Sequence, residues 1–354
     1  MKWLYKPFHT IGFIITLITT VLLFQRLLTP KYMSHTFEGA MGAEYYSERL
    51  PHDVIFIGDC EVYSSYSPIT LWKEYGVTSY IRGGAQQLIW QSYYILEDTL
   101  RYETPKAVVL NVLSMQYSEP VSEGYNRLNL DTLRMSKTKL DAVNASVMES
   151  ESVFSYILPV VRWHSRWNDL SAEDFLFMFS KKRVTHSGYM MRSDIKPVGA
   201  LPTKRVLADY EFSEKCYSYL DKITDLCKSN NISLILVKSP AVYPYWHKEW
   251  NEQIQSYAHT NGLLFLNLYD LSDEIGIDMN ADTFDAGIHF NVYGAEKNAL
   301  YLGKVIKNFC GLRGHADQEE IYSVWDEKTL AYNTMKAIQQ AEFKEYGKIL
   351  TYSY

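Results

Sequence analysis

Basic charge and cysteine are both scarce in this sequence, and each shortage excludes a class of function. The formal net charge is −6 at neutral pH and the pI is about 5.9, so nothing indicates a nucleic-acid partner. Only four cysteines are present, and they show neither metal-ligand spacing nor a dense disulfide framework. Phosphate-binding loops, internal repeats and low-complexity tracts are also lacking. The sequence therefore predicts no nucleic acid, no metal and no other cofactor.

The pair Cys216 and Cys227 leaves two interpretations open. A disulfide between them is conceivable outside the cell. Their separation of eleven positions also puts them on one face of a helix, where they would be core residues too far apart to bond.

Formal charge is absent from residues 7–25, the nineteen positions between Lys6 and Arg26. Ten residues from Ile11 to Phe24 are Ile, Leu, Val or Phe. As a helix the uncharged span is about 28 Å long, close to the ~30 Å thickness of the hydrocarbon layer. The segment is a transmembrane helix or a signal peptide, and residues 25–30 lack the small-residue pattern of a cleavage site. We therefore predict that residues 1–30 are an uncleaved anchor in the lipid bilayer.

The charges that flank this span favour one orientation. Lys2 and Lys6 precede it together with the terminal amine, whereas Arg26 and Lys31 follow it. The small excess on the N-terminal side predicts a cytoplasmic N-terminus. The chain is thus expected to be a single-pass protein of the cell membrane, with its main domain outside the cytoplasm.

An apolar run near residue 55 ends in a turn that presents a cysteine. Residues 54–57, Val-Ile-Phe-Ile, form an unbroken hydrophobic run, which is typical of a strand buried on both faces of a parallel sheet. Gly58 permits a sharp turn after it. If a helix follows, Cys60 lies at its N-terminus, where backbone N–H groups lower the pKa of a thiol. This is the position of a nucleophile, although free cysteine is also among the most buried residue types.

A histidine with a nearby carboxylate lies far downstream. His289 follows Asp285 by four residues in a segment rich in turn formers, just before a helical pattern that begins near Tyr293. A histidine held by a carboxylate and aimed at a thiol or hydroxyl is the base of a nucleophilic triad. We therefore predict Cys60, His289 and Asp285 as the catalytic residues.

These motifs resemble those of a known family. Gly58-Asp59-Cys60 after a strand, with Asp285 and His289 near the end, resembles the SGNH (GDSL) hydrolases, which implies a flavodoxin-like three-layer α/β/α sandwich with a parallel sheet. The stretches GDCE, GGAQQLIWQSYY and HFNVYGAEK are similar to the membrane-anchored branch related to DltD and to alginate-acetylation proteins. That resemblance implies ester chemistry on a cell-surface polysaccharide or teichoic-acid-like polymer. It also implies a membrane-bound O-acyltransferase as a partner.

The resemblance also implies residues that hold an oxyanion or the substrate. The backbone N–H groups of Cys60 and of Gly84 or Gly83 are the expected oxyanion donors. The side chain of Asn111 is a further expected donor, at the end of the strand AVVLNV, where ligand sites in open α/β sheets gather. Gln86 is expected to line the same pocket.

The sequence departs from the family pattern at two points. Cys60 stands where the family has serine, which is compatible with thiolate chemistry but also with an inactive binding domain. The spacing from Asp285 to His289 is one residue longer than usual, because Ala286 occupies the position three before the histidine. Asp285 is expected to reach His289 through a different turn, with Asp282 as the alternative partner.

The remaining segments define the expected domain organisation. Residues 31–50 form a linker, residues 51–312 the α/β domain, and residues 313–354 a C-terminal helical extension. Within the α/β domain, residues 115–210 form a helical cap insertion with clustered aromatic and basic side chains, among them Trp163 and Trp167. Two functions follow: an extracytoplasmic acyl-esterase or O-acyltransferase, or a non-catalytic glycan-binding partner of a membrane-bound O-acyltransferase.

Overall fold

The computed structural model describes residues 2–30, 38–176, 178–179, 183–315 and 317–352. At its centre is a five-stranded sheet in the order β2-β1-β3-β4-β5, in which every neighbouring pair is parallel. The strands are β1 Val54–Gly58, β2 Ser79–Gly83, β3 Ala107–Asn111, β4 Ser233–Lys238 and β5 Leu264–Asn267. This order reverses direction between β1 and β3, which is the point where open parallel sheets bind ligands.

Helices cover both faces of the sheet because successive strand residues point to opposite sides. Val54 and Phe56 belong to one buried cluster, and Ile55 and Ile57 to the other. The expected three-layer α/β/α fold with a parallel sheet is therefore confirmed. The first five helices, in chain order, are α1 Lys2–Leu28, α2 Glu38–Glu44, α3 Cys60–Ser65, α4 Pro68–Tyr75 and α5 Ile89–Thr99.

The insertion after β3 holds the next five helices and a 3-10 segment, His164–Asp169. The helices are α6 Glu123–Leu130, α7 Lys137–Ser146, α8 Val153–Ile157, α9 Val160–Trp163 and α10 Ala172–Leu176. Helices α6, α7 and α8 form a small core of their own against α5, around Leu130, Val143 and Tyr156. The prediction of helices across 115–210 holds for the first two thirds of that range. Residues 183–213 instead run without regular structure across the body, because their backbone groups bond to several elements, as from Met190 N to Tyr63 O (2.9 Å).

The chain returns to regular structure with α11 Glu214–Ser229, α12 Lys248–Asn261, α13 Ser272–Ile275, α14 Val292–Cys310 and α15 Glu319–Tyr346. Cys216 and Cys227 are free thiols buried on α11, so the interpretation as core residues of one helix face applies. Helix α15 packs back on the body, where Trp325 stacks on Trp72 with ring centroids 5.5 Å apart. The predicted C-terminal extension is thus helical and part of the folded body.

Helix α1 contains the one segment in the described residues that is long and apolar enough to cross a membrane, His9–Leu28, with a mean hydropathy of 2.0. By length and composition it fits a membrane span or a signal sequence. The predicted linker 31–50 is corrected in its second half, since Met41 and Tyr45 are buried in the body. Residues 31–37 of that linker lie outside the described residues.

Candidate active site

The turn after β1 requires glycine and places Cys60 at the start of α3. Gly58 has a φ of +156°, and a Cβ there would lie 2.5 Å from a methyl group of Val62 and 2.8 Å from the Cβ of Asn111. Asp59 caps the helix, since its Oδ1 accepts from the N–H of Glu61 at 3.1 Å. Cys60 is partly exposed at the carboxyl edge of the sheet, beside the point where the strand order reverses. The predicted strand–turn–helix arrangement is therefore present.

Asp285 and His289 form a tight pair at the tip of a loop closed by a bridge between Thr283 and Phe290. Asp285 Oδ2 lies 2.6 Å from His289 Nδ1, and Asp285 Oδ1 accepts from the backbone N–H of His289 at 2.7 Å. The extra residue in the spacing is absorbed by left-handed backbone, because Ala286 has a φ of +67° and Gly287 one of +100°. One carboxylate thus fixes both the backbone and the ring of the histidine.

The alternative partner, Asp282, is engaged elsewhere. Its buried Oδ2 accepts from Lys297 Nζ and from the backbone N–H of Asp278, both at 2.7 Å. Its part is to hold the start of helix α14 and the loop that carries His289. Asp285, and not Asp282, is therefore the carboxylate that contacts the imidazole ring.

Two aromatic rings lie almost parallel to the His289 ring. The ring centroid of Tyr63 is 6.2 Å from that of His289, and the centroid of Phe284 is 5.7 Å from it. Tyr63 lies three residues after Cys60 on α3, so the two residues share a helix face. The histidine loop and the cysteine helix therefore meet at one place on the sheet edge. The Nε2 atom of His289 is buried and has no hydrogen-bond partner among the described residues. The predicted hydrogen bond between this nitrogen and the thiol of Cys60 is therefore not formed in this structure.

The predicted oxyanion and pocket residues have different surroundings. The N–H of Gly84 donates to Gly58 O at 3.3 Å, and a Cβ on Gly84 would lie 2.1 Å from Asn129 Oδ1. Gly83 ends β2, paired with Gly58 in the sheet register. Gln86 has a left-handed φ of +49°, and its Oε1 is buried without a partner among the described residues. Strained backbone and an unpaired buried oxygen are features that cluster at binding sites, and the Gln86 oxygen can only accept a hydrogen bond.

Asn111 lies at the sheet edge as expected, but its side chain is used within the protein. Both amide protons are accounted for, by Glu61 Oε2 and Ser239 Oγ, each at 2.9 Å from Nδ2. The expectation of Asn111 as an oxyanion donor is therefore wrong for this arrangement. The physical reason is that Glu61, which accepts from Asn111, is held in place by a buried ion pair that the sequence did not reveal. The fully buried Lys238 Nζ lies 2.7 Å from Glu61 Oε1.

The surroundings of the Asp59 carboxyl favour its protonated form. Burial raises its pKa to about 8, and the nearby Glu61 carboxylate adds to the rise. Burial also raises the pKa of Tyr117, and the proximity of Asp59 and Cys60 raises it further.

Arg192 extends the aromatic stack and was not foreseen from the sequence. Its guanidinium carbon lies 4.4 Å from the centroid of Phe284, and Asp194 holds it through bonds of 2.9 and 2.5 Å. It belongs to the irregular run 183–213, where no local periodicity marks a residue as important. Only the folded chain brings it beside the loop of His289.

An aromatic cavity opens next to this site, beyond the ends of β4 and β5. Its volume is about 310 Å³, and its walls carry both aromatic and amide or carboxylate side chains. The loop that lines it also contacts the histidine loop, since the N–H of Val242 donates to Gly287 O at 3.1 Å. Rings beside hydrogen-bonding groups suit a sugar. The polar and aromatic lining residues are Tyr245, Trp246, His247, Lys248, Asn251, Asn267, Tyr269 and Asp270.

Comparison with known proteins gives structural likeness only. No family model matches the chain, and no curated protein matches it either. Among solved structures it is similar to a provisionally assigned acylhydrolase from Bacteroides fragilis, with 13% identity, a TM-score of 0.38 and coverage of 76% of this chain and 95% of that one. It is also similar to a GDSL-like lipase from Bacteroides thetaiotaomicron (14% identity, TM-score 0.35, 79% and 98% coverage).

A provisionally assigned lipolytic protein of the G-D-S-L family from Desulfitobacterium hafniense gives 13% identity, a TM-score of 0.35 and coverage of 71% of this chain and 98% of that one. All three likenesses are to hydrolases of GDSL or acylhydrolase type. At TM-scores below 0.5 they carry no argument about this chain. The function proposed for it rests on its own residues.

Proposed function

We propose that this protein is an SGNH-type acyl-esterase or O-acyltransferase that works through Cys60, His289 and Asp285. The observation that carries the proposal is the pair at 2.6 Å between Asp285 Oδ2 and His289 Nδ1, with the opposite ring nitrogen buried and unbonded among the described residues. An imidazole held at Nδ1 and open at Nε2 is arranged as a general base. The Tyr63 stack supports placing that nitrogen beside the helix that begins with Cys60.

The proposed reaction has two balanced halves. The thiol of Cys60 attacks the acyl carbonyl while its proton passes to His289 Nε2. The tetrahedral intermediate then collapses to a thioester, and the leaving alcohol takes the proton from Nε2. Water or a sugar hydroxyl attacks the thioester next, and its proton returns through Nε2 to the departing sulfur. The backbone N–H of Cys60 is the proposed stabiliser of the negative oxygen, and Gln86 is proposed to line the pocket beside it.

The proposed setting is the outer face of the cell membrane. Helix α1 supports it, because its apolar segment has the length of a membrane span. In this proposal the N-terminus is cytoplasmic and the domain extracytoplasmic, where a cell-surface polysaccharide or teichoic-acid-like polymer is the acceptor or donor of the acyl group. A membrane-bound O-acyltransferase is the proposed partner that supplies or receives it.

Substitution of the thiol tests the covalent mechanism directly. We expect Cys60→Ala to abolish hydrolysis of an aryl acetate and Cys60→Ser to retain part of it, because an alkoxide can replace a thiolate in the same geometry. Intact-protein mass spectrometry should detect an acetyl adduct on the wild type after a short incubation. Cys310→Ala is the matched control, since Cys310 is the other partly exposed thiol. Unchanged turnover in both Cys60 variants contradicts the mechanism.

A second candidate function is a non-catalytic glycan-binding partner of a membrane-bound O-acyltransferase. The aromatic cavity beside the site favours it, since its lining suits a sugar whether or not chemistry follows. Under this alternative, Trp246→Ala weakens binding of a polysaccharide fragment in calorimetry, while Cys60→Ala changes nothing measurable in any acyl-transfer assay. Activity that depends on Cys60 excludes it.

A further inference from the structure

The cap carries an unusual density of exposed apolar side chains. Among the described residues between positions 154 and 179, seven large hydrophobic side chains are solvent-exposed, and the most exposed are Phe179 at 87%, Trp167 at 67% and Leu176 at 65%. The others are Phe154, Ile157, Val161 and Phe175. Scattered single exposures are ordinary, whereas a concentration of this kind on a soluble surface marks an interaction site.

The same part of the cap is fastened to the end of the apolar helix. The guanidinium of Arg166 donates from Nη1 to Leu28 O at 3.1 Å and from Nη2 to Asp174 Oδ1 at 2.8 Å. Leu28 O is one of the last carbonyls of α1, which have no partner within the helix, and an arginine there also complements the helix dipole. Leu28 is buried at this junction. Helix α1 therefore packs against the cap, where it contacts α9, the 3-10 segment and α10.

The contact fixes the height of the cap relative to a bilayer. The apolar segment of α1 ends at Leu28, so the boundary between hydrocarbon and headgroups lies near that residue when the helix crosses the membrane. Elements that touch Leu28 then lie at the headgroup level. Tryptophan and phenylalanine are the side chains that this region favours, with arginine close to anionic lipid.

We propose that residues 154–179 are a membrane-surface module that rests on the lipid bilayer and inserts its exposed aromatic and aliphatic side chains into the headgroup region. The occupant of this surface is lipid, and the continuity of the cap with the end of α1 is the reason for that choice. The module would hold the domain against the bilayer through a second attachment besides the helix.

Lipid-dependent quenching of tryptophan fluorescence tests this in the full-length chain reconstituted into vesicles of phosphatidylcholine and phosphatidylglycerol. Phe179→Trp adds a fluorophore on the proposed surface. Leu330→Trp is the matched control, because Leu330 is 68% exposed on α15, which packs on the opposite face of the sheet from the cap. With nitroxide-labelled lipid, we expect the added emission at position 179 to fall by about half and that at 330 by about a tenth or less. Trp167→Phe should remove part of the quenching seen in the wild type.

Three outcomes overturn the proposal. Equal quenching at positions 179 and 330 means that the cap does not contact lipid. Protection of position 179 only after a protein partner is added means that the surface belongs to that partner. Release of the chain from the vesicles by alkaline carbonate means that α1 does not anchor it, and the height argument fails with it. Esterase activity is independent of all three, so failure here is distinct from failure of the proposed chemistry.

Discussion

Replacing Asp285 by asparagine should disable the site through the wrong imidazole tautomer. Asp285 Oδ1 accepts from the His289 backbone N–H at 2.7 Å, while Oδ2 lies 2.6 Å from Nδ1. In Asp285→Asn the amide oxygen can keep the backbone bond, which turns the NH₂ group toward Nδ1. Nδ1 must then accept, so the proton moves to Nε2, and a protonated Nε2 cannot take a proton from a thiol.

The magnitude follows from the bond that is lost. A hydrogen bond to a charged group contributes about 1.5–3 kcal/mol, which corresponds to a loss of about 10- to 150-fold in kcat/KM at 1.36 kcal/mol per tenfold. The tautomer effect adds to that figure, so we expect at least about 100-fold. Stability should change little, because the backbone bond survives and both side chains are partly exposed.

Hydrolysis of an aryl acetate, followed across pH in the wild type and in Asp285→Asn, is the assay. Asp282→Asn is the control: it breaks the pairing with Lys297 and should lower the melting temperature while kcat/KM stays within about threefold. An Asp285→Asn enzyme with wild-type kcat/KM refutes the assignment of Asp285. A loss of activity confined to Asp282→Asn transfers the role to that residue.

Further predictions concern stability. Lys238→Met should destabilise the fold by about 3–5 kcal/mol in urea unfolding, because it leaves the buried Glu61 carboxylate without its positive partner; a loss below 1 kcal/mol contradicts this. The pKa of Asp59 is raised to about 8 from 3.8, so its contribution to stability is full below about pH 4 and disappears as pH rises through 8. Asp59→Asn should flatten that decline in unfolding free energy, and an unchanged pH dependence rules it out. Gly188→Ala should cost at least about 3 kcal/mol, since its φ is +84° and a Cβ would lie 2.1 Å from Ile81 O, whereas Gly262→Ala, at φ +66° with open space, should cost about 1. Equal thermal shifts in the two variants would contradict the argument.

The parts of the fold that local chemistry determines could be predicted from the sequence. Runs such as Val54–Ile57 are apolar because both sheet faces are covered, and they are strands in the structure. The pairing of Asp285 with His289 was foreseeable because four residues of turn separate them. The direction of Asn111 was not, because its partners Glu61 and Ser239 lie 50 and 128 residues away. Such contacts leave no period or spacing in a single sequence.

The second half of the predicted linker shows a different limit. Residues 38–44 form a seven-residue helix, too short to be stable by propensity alone, and tertiary contacts decide its state. Met41 is buried there, and its carbonyl accepts from the Tyr80 hydroxyl at 3.2 Å. A segment predicted to be a linker thus becomes part of the body through its contacts with the folded sheet.

The aromatic rings of Tyr63 and Phe284 beside His289 restrict the movement of its imidazole. Tyr63 and Phe284 lie almost parallel to the imidazole, so movement of the ring out of its own plane would bring it against one of these two rings. In the proposed mechanism, the departing alcohol and the incoming acceptor therefore exchange protons with the same nitrogen, His289 Nε2. The leaving alcohol would therefore have to depart before the acceptor binds. Donor and acceptor should then compete for the same site, and double-reciprocal plots should give parallel lines.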